Sequence, residues 1–351
     1  MLHLANRFAE LGHDVDMVLC RGTGNYLHRL DPRVSKQVLD VPRMVFAGPA
    51  LARYARRRRP TVIISALYHA DLVLLVSRIL ARLPSKVLIS AQNNPEFLGA
   101  NGAGGRNRLI GFGLRRLLRR ADGIVAISRG VGESLVRLAC IDRESVVVIH
   151  NPVVAPGFER ERDAEPQHPW FTDNDIPVLV AAGRLTPQKD YPTLLHAFTI
   201  LRQRRPLRLI ILGEGEDRRD LEALVRSLSI EEDVDMPGFA ENPYAFMKAA
   251  DLFVLSSRFE GFANVLAEAL ACGTPVVSTD CPYGPSEILA NGKYGRSVPV
   301  GDAEAFADAM NETLDEPREP DRLIRRGYEF SIEPIADAYL HVLRQIGALP
   351  R

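Results

Sequence analysis

The sequence predicts an α/β protein built as two Rossmann-like domains, each a parallel sheet covered on both faces by helices. Three observations carry that expectation. The chain has 351 residues, too many for one core and natural for two domains of about 150–200 residues. Short, nearly all-apolar runs rich in Val, Ile and Leu alternate with helix-period segments, the pattern of strands buried on both faces. Finally, NPVVAPGFERERDAEPQHPWFTDNDIP (151–177) interrupts the alternation with a stretch rich in Pro and charge, as a boundary between domains would.

Taken in order, residues 2–11 (LHLANRFAEL) read as an amphipathic helix. Strands follow at 14–20, 61–65, 86–90, 123–128 and 145–150. After the break they recur at 178–183, 207–213, 233–238, 252–257 and 275–279, with helices at 192–204, 216–228 and 243–250 between them. In a doubly wound sheet the first strand is central, and the glycine-bearing loop after it faces ligand. This chain opens on a helix instead, so that strand is expected to lie upstream of residue 1, the alternative being a domain built atypically. The organisation expected is a first domain over 1–155, a second over 156–330 and a closing helix in 331–351.

The 44 basic and 44 acidic residues cancel, but they are not evenly placed. Residues 1–150 hold 23 basic and 11 acidic side chains, and residues 151–351 hold 21 and 33. Such asymmetry argues for two surfaces with different partners rather than for a nucleic-acid binder. Cys20, Cys140, Cys272 and Cys281 form no C-x-x-C pair, which disfavours a disulfide framework or structural zinc and fits a reducing cytosol. The most apolar run, 61–76, is broken by His69 and Asp71 and falls short of the roughly 20 residues a bilayer span needs.

The densest chemistry lies in SSRFEGFANVLAEALACGTPVVSTDCPYGPSEIL (256–289). A buried strand runs into the tight loop RFEGFA, and Asn264 is a good N-cap for the helix VLAEALA, which Gly273 and Pro275 end. The free N–H groups of Val265, Leu266 and Ala267 would then form an anion site. Glu260 in the loop and Glu268 one turn into the helix would flank a diphosphate held there. A second element, AAGRLTPQKDYPTLL (181–195), puts Arg184 and Lys189 in a short loop after a strand, where two cations can clamp a diphosphate and neutralise a leaving group. A third, LGEGEDRRDLEAL (212–224), offers Gly213 and Gly215, a weak signal that turn geometry alone explains.

Together these residues resemble family 4 of the retaining glycosyltransferases, which share the two-domain GT-B fold. The family's paired glutamates stand here as Glu260 and Glu268, and its G-R-x-x-x-x-K clamp as Gly183, Arg184 and Lys189. The resemblance implies that Arg184 and Lys189 hold a donor diphosphate, Glu268 the ribose hydroxyls, and Glu260 the transferred sugar. Backbone around Gly261, Phe262, Ala263 and Asn264 would line sugar and phosphate. SIEPIADAYLHVLRQ (331–345) looks like the family's last helix, which crosses back onto the first domain. TDCPYGPSEIL (279–289) resembles members that build lipopolysaccharide, capsule or lipid-linked glycans. Two departures stand out: the absent first strand with its Gly-rich loop, and Gln92 and Asn93 where many members place a His, with His69 the nearby alternative.

The implied activity is transfer of a hexose or N-acetylhexosamine from a nucleotide sugar, UDP-linked by expectation, with retention and without a metal or other cofactor. The acceptor expected is a lipid-linked or lipopolysaccharide/capsule glycan at the cytoplasmic face of a membrane. The rivals are a sugar-nucleotide epimerase on the same fold and a non-catalytic sugar-nucleotide-binding module. Asp14/Asp16, Asp173/Asp175 and Asp233/Asp235 read as strand starts or linker rather than metal ligands. In RNRLIGFGLRRLLRRA (106–121), Ile110, Leu114, Leu117, Leu118 and Ala121 form an apolar stripe flanked by arginines. That stripe either packs on the sheet or lies on an anionic membrane.

Overall fold

The computed structural model describes residues 1–24, 26–94, 104–172 and 176–350, the side chains of 104–109 excepted. Its contacts divide the chain into two units, Met1–Pro152 with Ile332–Arg351, and Val153–Ser331.

The first unit begins with α1 (Leu2–Glu10), β1 (Asp16–Leu19) and β2 (Ser35–Val38), the two strands paired in parallel as a sheet of their own. Next come α2 (Ala47–Arg58), β3 (Val62–Ser65), α3 (Tyr68–Ala81), β4 (Lys86–Ala91), α4 (Gly104–Leu117), β5 (Gly123–Ala126), α5 (Arg129–Ala139) and β6 (Val146–Val148). Strands β3 to β6 form a parallel sheet in sequence order. Ser128 caps α5, its Oγ accepting from the Val131 N–H at 3.2 Å, the arrangement that satisfies one of a helix's orphan donors.

The second unit contains α6 (Phe158–Arg162), β7 (Val178–Ala182), α7 (Tyr191–Arg202), β8 (Arg208–Leu212), α8 (Arg218–Ser227), β9 (Val234–Gly238), α9 (Pro243–Ala249) and β10 (Leu252–Leu255). It continues with α10 (Asn264–Ala271), β11 (Val276–Thr279), α11 (Pro285–Ile288), β12 (Arg296–Val298), α12 (Ala303–Asp315) and α13 (Pro320–Tyr328). The six strands form one parallel sheet in the order β12-β11-β10-β7-β8-β9. Every residue of β7, β10 and β11 is buried, which is why VLVAA and LFVL read as unbroken apolar runs. Leu179, Leu194, Phe198, Leu209 and Phe306 belong to one core cluster, each such side chain contributing about 1.5–3 kcal/mol on burial. The chain builds outward from β7 through β8 to β9, then returns to β10 on the other side. The carboxyl ends of β7 and β10 therefore flank the point where strand order reverses, the place ligands take in open α/β sheets.

The last helix, α14 (Ile332–Gln345), belongs to the first unit. Its Tyr339 Oη and the Ser90 Oγ of β4 lie 2.7 Å apart in the interior. A Cβ on Gly123, at the start of β5, would sit 2.8 Å from Leu88 and 3.2 Å from Ile346, so only glycine lets the chain after α14 come this close. All ten expected strands form. Two more, β2 (SKQV) and β12 (RSV), are short and polar and carry no apolar signal.

Candidate active site

The loops after β7 and β10 are laced together by main-chain contacts. Ser256 Oγ donates to the Lys189 carbonyl (2.7 Å), the Arg258 N–H to the Gln188 carbonyl (2.8 Å), and Gln188 Nε2 to the Phe259 carbonyl (2.9 Å). The loop after β11 backs them, with the Glu260 N–H donating to the Pro282 carbonyl at 2.8 Å. These bonds fix two side chains that stand 71 positions apart in sequence. Lys189 Nζ lies 2.6 Å from Glu260 Oε1, and Ser257 Oγ donates to the same oxygen at 2.7 Å. Glu260 is buried, and the Lys189 side chain keeps only 15% of its exposure. Such a pair is strong while intact, but removal of one partner strands the other charge.

Glu268 stands one turn into α10. Burial pushes its carboxyl up to about 7, against the pull of the Lys189 charge. Lys189 thus serves two carboxylates, and the site holds Glu268 at the edge of protonation near neutral pH. Tyr191, buried at the first turn of α7, has its phenol raised by burial and by the Glu260 charge.

Two glycine loops press against this cluster. A Cβ on Gly213 would lie 1.9 Å from the Gly183 carbonyl oxygen, and one on Gly215 would lie 2.1 Å from that of Leu185. The Gly183 N–H donates to the Leu212 carbonyl (2.9 Å), and the Gly213 N–H to that of Gly238 (2.8 Å). Close backbone approach, rather than turn geometry alone, therefore requires the glycines after β8. Gly183 itself lies beside Lys189, whose Cε would be 3.0 Å from an added Cβ. Arg184, next in the chain, is exposed.

The helix tip differs from the expectation in one respect. Asn264 is the first helical residue, not the N-cap. Ala263 takes the cap position at φ +68°, with no side chain bonded to the cap. The loop turns through a left-handed residue just before the helix, so Asn264, Val265 and Leu266 begin it. At the other end the Gly273 N–H bonds the Leu270 carbonyl and the Thr274 N–H that of Ala269, with Gly273 at φ +81°, a Schellman closure. Gly261 joins the Glu260 loop to this turn. The Phe262 ring is buried, its centroid 5.3 Å from that of Phe330, so only its main chain can line a ligand.

Sequence reasoning missed Ser257 and Gln188, although the paired serines ending the apolar run LFVLSS were a visible signal. It also missed a cavity of about 340 Å³ at the carboxyl ends of β8 and β9, lined by Leu212, Gly238, Phe239, Ala245 and Phe246 among others.

Other candidates lie elsewhere. His69 is exposed at the second position of α3, and Gln92 Nε2 donates to Ser90 Oγ at 2.8 Å, both in the first unit. Asp14 and Asp16 pair with Arg58, Asp233 with Arg202, and Asp235 with His168. Asp173 and Asp175 lie outside the described residues. Among the described residues no three His, Cys, Asp or Glu side chains gather as metal ligands. Burial raises the thiols of Cys272 and Cys281, the latter to about 12, which keeps both protonated and unreactive.

Two family models match this chain in succession, Glycosyltransferase Family 4 over residues 1–155 and Glycosyl transferases group 1 over residues 164–330. The chain carries a glycosyltransferase family 4 domain followed by a glycosyl transferases group 1 domain. Among its relatives, the lipopolysaccharide core biosynthesis glycosyltransferase LpsE of Rhizobium meliloti is 38% identical over 177 residues, 49% of this chain and 51% of that protein. The N-acetylgalactosamine-N,N'-diacetylbacillosaminyl-diphospho-undecaprenol 4-alpha-N-acetylgalactosaminyltransferase of Campylobacter jejuni is 30% identical over 232 residues, 65% and 59% of the two chains. The matches thus span little more than half the length of these relatives. Anabaena HepE, solved with UDP and glucose, superposes with a TM-score of 0.79 at 18% identity, covering 98% of this chain and 94% of that one. That likeness establishes the GT-B fold of this chain.

Proposed function

We propose that the chain is a retaining, metal-independent glycosyltransferase that moves a hexose or N-acetylhexosamine from a UDP-sugar to a lipid-linked or lipopolysaccharide/capsule glycan. The observation that carries this reading is the meeting of Lys189 and Glu260 at the strand-order reversal, one turn of helix from Glu268. A donor diphosphate would lie between Lys189, Arg184 and the N-terminus of α10, where N–H groups and two cations favour negative charge. Glu268 would accept from the ribose hydroxyls, and Glu260, freed as Lys189 turns to phosphate, from hydroxyls of the transferred sugar. The uracil would occupy the apolar cavity after β8 and β9, which lies past Gly213 on the same sheet edge.

Transfer breaks the bond between the sugar's anomeric carbon and the phosphate oxygen, and forms one to the acceptor oxygen on the same face. The acceptor proton passes to the departing phosphate, so no base on the protein is required. The protein's part is charge stabilisation and positioning. The choice of UDP is supported by the ligand in the HepE structure, and the acceptor class by the names of the two curated relatives. The reading further holds the protein at the cytoplasmic face of a membrane; no helix among the described residues is long and apolar enough to cross one.

The test is a panel of sugar nucleotides incubated with and without diphospholipid-linked and lipopolysaccharide acceptors. Acceptor-dependent release of UDP with formation of an α-linked product from an α-linked donor is expected. Conversion of donor without acceptor would favour an epimerase, and UDP binding with no turnover a binding module.

A further inference from the structure

In the stripe expected on residues 106–121, Leu114 and Leu118 are buried, keeping 0% and 1% of their exposure, and Ile110, Leu117 and Ala121 are half-buried. A larger group of exposed bulky apolar side chains stands on α3 and the turn before α2. Val45 and Phe46, in the turn of 3-10 helix Met44–Phe46 that enters α2, are 69% and 60% exposed. On α3, Leu80 is 79%, Ile79 45% and Val76 40% exposed. The three α3 residues lie three and four positions apart on one face, while Asp71, Leu74 and Leu75 fill the other. The two groups adjoin, because a Cβ on Gly48 would lie 3.2 Å from Ser77 Oγ. Exposed arginines, Arg43 before the turn and Arg53 and Arg57 on α2, stand beside them.

The charge excess of the first 150 residues is concentrated in this part of the chain. Residues 41–121 contain fifteen basic side chains and two acidic ones, and Asp71, one of the two, is wholly buried. We propose that the Met44–Phe46 turn, α2 and the outer face of α3 form a surface that docks on an anionic lipid bilayer. Apolar side chains that water leaves unsatisfied would enter the acyl boundary, while the arginines meet lipid phosphates. A soluble polyanion would satisfy the arginines but offer nothing to Phe46 and Leu80; a neutral apolar partner would do the reverse. An anionic bilayer complements both. The inference stands on this surface and does not depend on the transfer reaction.

The experiment is flotation of the full chain with vesicles of phosphatidylglycerol and phosphatidylcholine, or of phosphatidylcholine alone, at low and high salt. Flotation with anionic vesicles only is expected, weakening but not vanishing as salt screens the arginines. Phe46→Ser with Leu80→Ser should lower the partition about tenfold or more, and Arg53→Glu with Arg57→Glu should remove the preference for anionic lipid. Melting curves of both double variants check folding, and the arginine pair keeps the test valid if the apolar pair unfolds. UDP binding, a property of the second unit, should not change in either variant, so a failure of the docking surface is told apart from a failure of the transferase reading. No flotation at low salt, or flotation indifferent to both double variants, overturns the proposal. So does a lipid-free dimer that Phe46→Ser with Leu80→Ser converts to monomer, since the face would then belong to a second copy of the chain.

Discussion

Replacement of Glu268 by Gln gives a prediction with a sign and a size. The folded protein raises this carboxyl from 4.5 to about 7 because burial disfavours the charged form. Between those two values the folded state keeps a proton that the unfolded chain has released, so stability falls as pH rises through the window and levels off above it. A shift of roughly 2.5 units corresponds to about 3 kcal/mol, an upper bound because the side chain is only half-buried. Gln keeps the shape and removes the titration. At about pH 8 the variant should be more stable by up to about 3 kcal/mol, and near pH 4 the two proteins should coincide. Urea unfolding of both proteins at a series of pH values measures the difference, and their subtraction cancels every other titrating group. UDP binding should show the complement: in the parent it weakens as pH drops through 7, when Glu268 ceases to be a full acceptor, and in the variant it is weaker and flat. A stability difference that does not change with pH would refute the argument from burial.

Four further predictions each rest on a single residue. Asp71→Asn should stabilise the first unit by about 4 kcal/mol at pH 8 and not at pH 4, because burial holds Asp71 near 7; calorimetry at both pH values reads it. Gly213→Ala forces the Gly183 carbonyl away from a Cβ placed 1.9 Å from it, and should cost about 2–4 kcal/mol in stability together with most UDP affinity. Arg184→Ala should slow transfer about 100- to 1,000-fold with little change in melting, since Arg184 is exposed. Lys189→Ala should lose transfer and also about 3–5 kcal/mol of stability, because Glu260 is left buried without its cation.

The central strands of the second unit were legible because parallel strands buried on both faces are apolar nearly throughout, as β7 (VLVAA) and β10 (LFVL) are, with β8 and β11 polar only at one end. The edge strands β2 and β12 were not, because nothing in SKQV or RSV distinguishes an edge from a loop. Lys189 and Glu260 could be named from a motif, but their contact could not: it depends on β7 and β10 being neighbours, which is a matter of strand order. The glycines after β8 gave only a weak signal for the same reason, since Gly183 approaches Gly213 only across the sheet. Asn264 was misplaced by one residue because its capping preference is a local rule, and here a left-handed Ala263 makes the turn instead. Whether the stripe in 106–121 packs on the sheet or faces outward stayed open, because exposure depends on which helix face the sheet covers.

The second unit is one unbroken stretch of chain inserted between two parts of the first. Its ends meet: the Val153 N–H bonds the Phe330 carbonyl at 2.9 Å, and Val154 bridges Ser331. A segment whose ends are pinned to one another loses little chain entropy when cut free, and termini that lie close together favour excision or transplantation of a unit. Residues 153–331 therefore mark out a natural cassette that could be exchanged between related glycosyltransferases through a single seam.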